Sequence, residues 1–303
     1  MRNSVRGLLE QLIDYAGLFP PAKLPLDDAL RKYAQYLQAP EAWLLGRFVC
    51  PVGQLADTGR WLRANPPPTR FAIAALARAS ATPDAWNVQF GEDLAAIAAS
   101  NLNQHALVDV VETPFPASAI ASLPGIVDAL SQAGLTAYLE VSPGDRDGVE
   151  ATLAAIHALK TKRLGMKLRC GGATVAAFPS SASVAWFLAR CHAAGVACKM
   201  TAGLHHPLPR FDDVLKVRHH GFVNVFLGGL LAFNGSVNEG ELAELLDEQN
   251  AAAFRFAEYV VAWKGHAISV DAIRLLRQRG VVSFGSCSID EPIADLRTLG
   301  MLP

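Results

Sequence analysis

Net charge is almost absent from this 303-residue chain, in which 27 lysines and arginines face 28 aspartates and glutamates for a formal charge of −1. The charges are spread along the sequence, so no broad field exists to draw in nucleic acid or an anionic membrane, and small-molecule chemistry is favoured over polymer binding. Cysteine is scarce as well. The five present, Cys50, Cys170, Cys191, Cys198 and Cys287, are odd in number and include no CxxC pair. They argue against a disulfide framework or zinc knuckle and read as free thiols. Long apolar runs are missing too. The greasiest stretch, residues 222–233, is broken by Asn224, Gly228 and Gly229 and is too short to cross a bilayer. Near the start, Arg2, Arg6, Glu10 and Asp14 interrupt any continuous signal-peptide core, so a cytoplasmic location is expected.

What the chain does have is apolar residues, 51% of the total, enough to bury one large core. From about residue 43 short β-rich runs alternate with amphipathic segments, as when parallel strands are joined by crossover helices. Eight such runs stand at 43–50, 71–77, 106–111, 136–141, 164–169, 196–201, 222–227 and 281–286. Helical periodicity lies between them, for example at 148–160, 181–194 and 239–249. Gly134, Gly195, Gly221 and Gly280 stand just before proposed strands, where C-terminal helix caps belong. The pattern predicts a (β/α)8 (TIM) barrel over residues 43–303. Residues 1–42 form an N-terminal helical extension, with a helix at 26–37, that covers the barrel bottom or makes a homo-oligomer contact. The stretch 250–266 reads as an inserted excursion or lid. A doubly wound nucleotide-binding sheet is disfavoured because the first strand is followed by Cys50-Pro51-Val52-Gly53 rather than a Gly-rich phosphate turn.

Alternate residues of a barrel strand face the lumen and the helices. Leu164, Met166 and Leu168 suit the helix layer, which turns Gly165, Lys167 and Arg169 inward. Cys198 and Met200 likewise leave Lys199 and Thr201 inward, and Glu140 points in beside Tyr138. Glu112 closes the third predicted strand, Asn224 lies in the seventh, and Arg47 in the first is a further inward candidate. Buried ions cost several kcal/mol each unless paired, whereas barrel enzymes gather catalytic groups at the C-terminal mouth. Glu112, Glu140, Lys167, Arg169 and Lys199 are therefore expected to meet there, with an inert ion-pair network as the alternative.

A lysine whose charge is disfavoured by burial or a neighbouring cation can attack a carbonyl and form a Schiff base. Lys167 and Lys199 fall on adjacent predicted strands, with Glu140 near enough to move protons. The run Cys198-Lys199-Met200-Thr201-Ala202-Gly203 resembles the Lys-Thr-x-Thr-Gly segment around the Schiff-base lysine of class I aldolases. It is most similar to the deoxyribose-phosphate aldolase family, in which the reactive lysine also ends the sixth strand. The match covers these six residues and the general architecture. It departs at Met200, where a threonine is usual, in the bulky Leu204-His205-His206-Pro207 continuation, and in lacking an evident second lysine on strand seven. The resemblance implies Lys199 as the Schiff-base residue and a cofactor-free carbon–carbon lyase, with Lys167 as a substitute from the other side.

Other groups are expected to orient the substrate. Arg169 suits a carboxylate through its planar fork. His205 and His206 overhang the mouth, while His219 and His220 read as exposed caps at a helix end. Gly228 and Gly229, with Gly285, Ser286 and Cys287, stand where barrels hold phosphate, and Gly171-Gly172 offers a second anion contact. Cys287, close to a helix start, is expected to have a lowered thiol pKa. Two other classes remain open: a divalent-metal isomerase, lyase or hydrolase using Glu112, Glu140 and His205 or His206, and a non-catalytic ligand-binding barrel. Each takes a small-molecule partner, carboxylate- or phosphate-bearing.

Overall fold

Ile13, Asp14 and Tyr15 form a short strand that is paired in parallel on both sides, Ile13 with Phe284 and Leu45, Tyr15 with Ser286 and Phe48. In the computed structural model, which describes residues 1–80, 82–100, 104–142 and 144–303, this strand closes a barrel. Strands β1 (Ile13–Tyr15), β2 (Leu45–Pro51), β3 (Phe71–Leu76), β4 (Ala106–Pro114), β5 (Thr136–Val141), β6 (Leu164–Arg169), β7 (Cys198–Thr201) and β8 (Val281–Ser286) pair in chain order, and β8 returns to β1. The fold is a (β/α)8 barrel. Its helices are α1 (Asn3–Leu9), α2 (Leu26–Tyr36), α3 (Leu55–Ala64), α4 (Pro83–Ser100), α5 (Leu123–Ala133), α6 (Arg146–Ala158), α7 (Ser181–Ala194), α8 (Phe222–Phe233), α9 (Glu239–Asp247), α10 (Val270–Arg279) and α11 (Asp290–Thr298). None of the described residues forms a helix long and apolar enough to cross a membrane.

Two elements differ from the sequence expectation. Residues 1–42 are not an appendage to a barrel at 43–303, because β1 is one of its staves. Three residues are too few for periodicity to register. Residues 222–227, expected as the seventh strand, are the first half of α8. An unbroken apolar run does not distinguish a buried strand from a buried helix. Eleven of the twelve residues of α8 are buried, with α7, α9, α10 and β8 around it, as a helix apolar on every side requires. One strand gained and one lost keeps the total at eight. The ordinals between them shift, so Lys167 belongs to the sixth strand and Lys199 to the seventh.

The core lies between strands and helices. Ile13, Phe48, Ile73, Met166, Leu168, Met200 and Phe284 are fully buried on the outward parity of the strands. A smaller apolar layer of Ala74, Val110 and Tyr138, with Val282 against it, fills the lumen. Gly134 and Gly195 cap α5 and α7 in the left-handed conformation, at φ 70° and 64°, just before β5 and near β7. Gly221 instead precedes α8 as its N-cap, at φ −81°. The 250–266 excursion contributes to a three-stranded antiparallel sheet of Phe254–Phe256, Val260–Trp263 and His266–Ser269. Asn3 of α1 donates to Glu258 at 2.6 Å, which ties this sheet to the N-terminal side of the barrel rather than over the mouth. The Arg277 guanidinium donates to the main-chain carbonyls of Leu8, Glu10, Val281 and Val282. It thereby joins the segment entering β1 to the start of β8.

Candidate active site

Strand parity and register bring Asp14, Glu112, Glu140, Lys167 and Lys199 into the lumen from β1, β4, β5, β6 and β7. Glu140, Lys167 and Lys199 are successive register partners. They form one chain of alternating charge. Lys199 Nζ donates to Asp14 Oδ2 at 2.7 Å and to Glu112 Oε1 at 2.5 Å. The other oxygen of Glu112 receives Lys167 Nζ at 2.6 Å, and Lys167 reaches Glu140 Oε2 at 2.8 Å. Arg169 ends the chain, 3.3 Å from Glu140 Oε1. Three carboxylates therefore meet three cations. Ser283 Oγ also donates to Asp14 Oδ2 at 2.7 Å, and the Arg47 N–H to Asp14 Oδ1 at 2.6 Å.

Local sequence makes room for these groups. A Cβ on Gly46 would collide with Asp14 Oδ1, and one on Gly165 would meet the Tyr138 ring at 2.6 Å, so both positions admit a neighbouring lumen side chain. Tyr138 lies under Lys199, with Nζ 5.4 Å from the ring centre, which adds cation–π attraction.

Burial grades the chain from inside to outside. Asp14 and Lys199 are 0% and 1% exposed, Lys167 and Glu112 3%, whereas the Arg169 side chain is 49% exposed. Desolvation pushes the Glu112 carboxyl upward, but Lys167 and Lys199 outweigh it and hold the group at about 2. Glu140 is also depressed, burial being overcome by Lys167 and Arg169. Burial pulls Lys199 down, yet Asp14 and Glu112 lift it above the ordinary lysine value. Lys199 lies at the interior end between Asp14 and Glu112, and Lys167 lies nearer the mouth between Glu112 and Glu140, whose side chain is 16% exposed.

The other predicted residues divide. Thr201 and Gly285 are register partners at the mouth, and a Cβ on Gly285 would sit 3.3 Å from Thr201 Oγ1. Arg47 faces the opposite, N-terminal end and is clamped by both oxygens of Asp109 at 2.7 Å. Asn224 is outside the lumen, on α8, where its amide donates to the Leu245 and Glu248 carbonyls at the end of α9. Gly228 and Gly229 are helical and pack on Leu242 and Val281, so they offer no anion site. Gly171 is taken up by backbone packing on Gly203. Ser286 faces outward and its hydroxyl donates to the Ser288 carbonyl. Burial pushes the Cys287 thiol up, the reverse of the expected lowering.

The histidines also turn elsewhere. His206 Nδ1 lies 2.5 Å from Asp295 and His205 Nδ1 3.5 Å from Glu291, both carboxylates on α11. Glu112 and Glu140 are meanwhile bound to lysines. Among the described residues no group of three His, Cys, Asp or Glu side chains is arranged to hold a metal. His219 ends a short hairpin strand (Val217–His219) and stacks on Phe178, and His220 is buried against the Pro179 carbonyl at 2.7 Å. Neither is an exposed helix cap.

Asp14, which pairs with Lys199, and Asp109, which clamps Arg47, are acids that periodicity does not assign. The signal for Asp14 is a single charge inside the apolar run Leu12-Ile13-Asp14-Tyr15. Two surface grooves of about 850 and 710 Å³ lie beside α3 and α4 and beside the start of α7, and no member of the charge chain lines either. Pocket size alone would favour those grooves. Convergent buried ionisable groups favour the lumen. Comparison with models of known protein families and with curated proteins finds no match.

Proposed function

We propose that this barrel is a cytoplasmic carbon–carbon lyase of the aldolase type, acting on a small carbonyl substrate through a lysine Schiff base. The observation that carries the reading is the pair of buried lysines on neighbouring strands bridged by the two oxygens of Glu112. Such a pair supplies one amine to bond the substrate and one fixed cation beside it. The geometry favours Lys167 for the bond. With Lys199 on the seventh strand, the six-residue match and the strand ordinal of the aldolase resemblance no longer coincide: Lys199 carries the match, while Lys167 holds the sixth-strand position. Each lysine is held by two carboxylates, but one partner of Lys167 is Glu140, 16% exposed, whereas both partners of Lys199, Asp14 and Glu112, are buried.

A carbonyl entering past Arg169 displaces Glu140 from Lys167, and Glu140 takes the ammonium proton. The neutral Nζ adds to the carbonyl carbon, Glu140 gives its proton to the resulting alkoxide, then takes a second proton from Nζ and passes it to the hydroxyl, which leaves as water to form the iminium. Glu140 next accepts the proton of the β-hydroxyl as the Cα–Cβ bond breaks, with the electron pair delocalising onto the iminium nitrogen. Protonation of the enamine and hydrolysis release the second product. Lys199 keeps Glu112 ionised throughout, and no cofactor is required because the iminium is the electron sink. Borohydride trapping with a panel of aldehydes and keto acids, followed by peptide mass mapping, tests the proposal. The expected adduct is on Lys167 and is lost in Lys167→Met; absence of an adduct on either lysine would refute it.

A further inference from the structure

Three arginines that reach the barrel spend their hydrogen bonds differently. Arg47 uses Nε and Nη2 on the two oxygens of Asp109, both at 2.7 Å, a saturated fork. Arg277 spreads its nitrogens over four main-chain carbonyls. Arg169 directs Nε and Nη2 at a single oxygen, Glu140 Oε1, both at 3.3 Å. Those contacts are longer than the usual 2.7–2.9 Å or so of charge-assisted bonds. Its side chain is half exposed at the C-terminal rim, so this fork can take a carboxylate from solution.

Lys167 and Arg169 are two residues apart on one strand face, and both end on the same carboxyl group, Lys167 at Oε2 and Arg169 at Oε1 of Glu140. An amine and a guanidinium thus converge on a group only three heavy atoms in size. A 2-oxo acid matches that spacing because its electrophilic carbon is bonded directly to its carboxylate. A ketone bearing its acid several bonds away cannot satisfy both groups at once. A phosphate is disfavoured at the corner where barrels usually hold one. In the loop after β7, His205 and His206 are turned onto Glu291 and Asp295 of α11, and the turn after β8 leads into Asp290 and Glu291 in the first turn of that helix.

We infer that the substrate bonded by the lysine is a non-phosphorylated 2-oxo acid whose carboxylate is held by Arg169. This rests on the Schiff-base reading and narrows it. The test is borohydride trapping at graded concentrations of pyruvate, acetone, 4-oxopentanoate and dihydroxyacetone phosphate, in the wild type, Arg169→Gln and Arg169→Lys. Pyruvate is expected to half-label the protein at the lowest concentration. The preference for pyruvate over acetone should fall at least tenfold in Arg169→Gln and by an intermediate factor in Arg169→Lys, whose point charge lacks the fork. Equal or better labelling by acetone, 4-oxopentanoate or the phosphorylated ketone overturns the inference, as does an unchanged preference in Arg169→Gln. Equilibrium dialysis with oxalate, which has no ketone to trap, separates the two ideas. Oxalate binding that weakens at least tenfold in Arg169→Gln, with no adduct from any ketone, ends the lysine chemistry and leaves the acid grip standing. Absence of saturable oxalate binding to the wild type overturns the grip itself.

Discussion

The lumen holds two ionic layers of opposite character. At the N-terminal end Arg47 and Asp109 form one bidentate pair with side chains 30% and 35% exposed. Toward the C-terminal end Asp14, Lys199, Glu112, Lys167 and Glu140 form a continuous chain, with the two lysines almost wholly removed from water. The lower pair is geometrically complete and only partly buried, so it closes the barrel at a smaller electrostatic cost. The upper chain removes several charges from water, which costs several kcal/mol per ion before pairing offsets it. Apolar side chains would fill the same volume more cheaply, as Ala74, Val110, Tyr138 and Val282 do in the layer between. The costly arrangement stands at the C-terminal end, where barrel enzymes place their active sites, and the cheaper one at the other.

That contrast breaks most sharply at Glu112. Glu112→Gln leaves Lys167 and Lys199 with one carboxylate each and no anion between them, and should destabilise the protein by about 3–5 kcal/mol, measured by urea denaturation. The same residue governs acid behaviour. Against desolvation, Lys167 and Lys199 hold its folded pKa at about 2, below the ordinary glutamate value of 4.5, so its contribution is complete above pH 4.5 and is lost as pH falls toward 2. On the order of 3 kcal/mol of stability should disappear across that window in the wild type. The corresponding segment of a stability–pH curve should be flatter in Glu112→Gln. Equal slopes would place the stabilisation elsewhere.

Much of this chain was legible in the sequence, and the parts that were not have identifiable causes. Period-two alternation in residues 164–169 and 198–201 turned Lys167, Arg169, Lys199 and Thr201 inward, because bulky apolar neighbours leave a strand only one way to face. Glu140 followed from the same rule. Asp14 escaped because its strand has three residues, shorter than any window in which alternation can be counted. Asn224, Gly228 and Gly229 depart from expectation together, since an apolar run buried on every side has no periodicity to separate helix from strand. Arg47 was correctly turned inward but at the wrong end, because parity fixes the face of a residue and not its height in the barrel. The partners of His205 and His206 depend on where α11 docks, which no local pattern encodes.

Smaller effects sharpen the comparison. Gly46→Ala puts a methyl group against Asp14 Oδ1 and should cost about 1–3 kcal/mol, as overpacking does. It should also reduce borohydride trapping by shifting the anion that holds Lys199. Arg47→Gln breaks the lower pair, whose side chains are 30% and 35% exposed, and should cost about 1–2 kcal/mol, between an exposed and a buried pair, with trapping preserved. A loss as large as that of Glu112→Gln would erase the distinction between the layers. The least effect is expected at Cys287, which lies at the mouth but outside the charge chain. Burial raises its thiol pKa, so thiolate is scarce near neutral pH and alkylation by iodoacetamide should be slower than that of a free thiol, accelerating as pH rises. Cys287→Ser should leave stability within about 0.5 kcal/mol and trapping intact. Rapid alkylation at neutral pH together with lost trapping would move the chemistry from the lysines to this thiol.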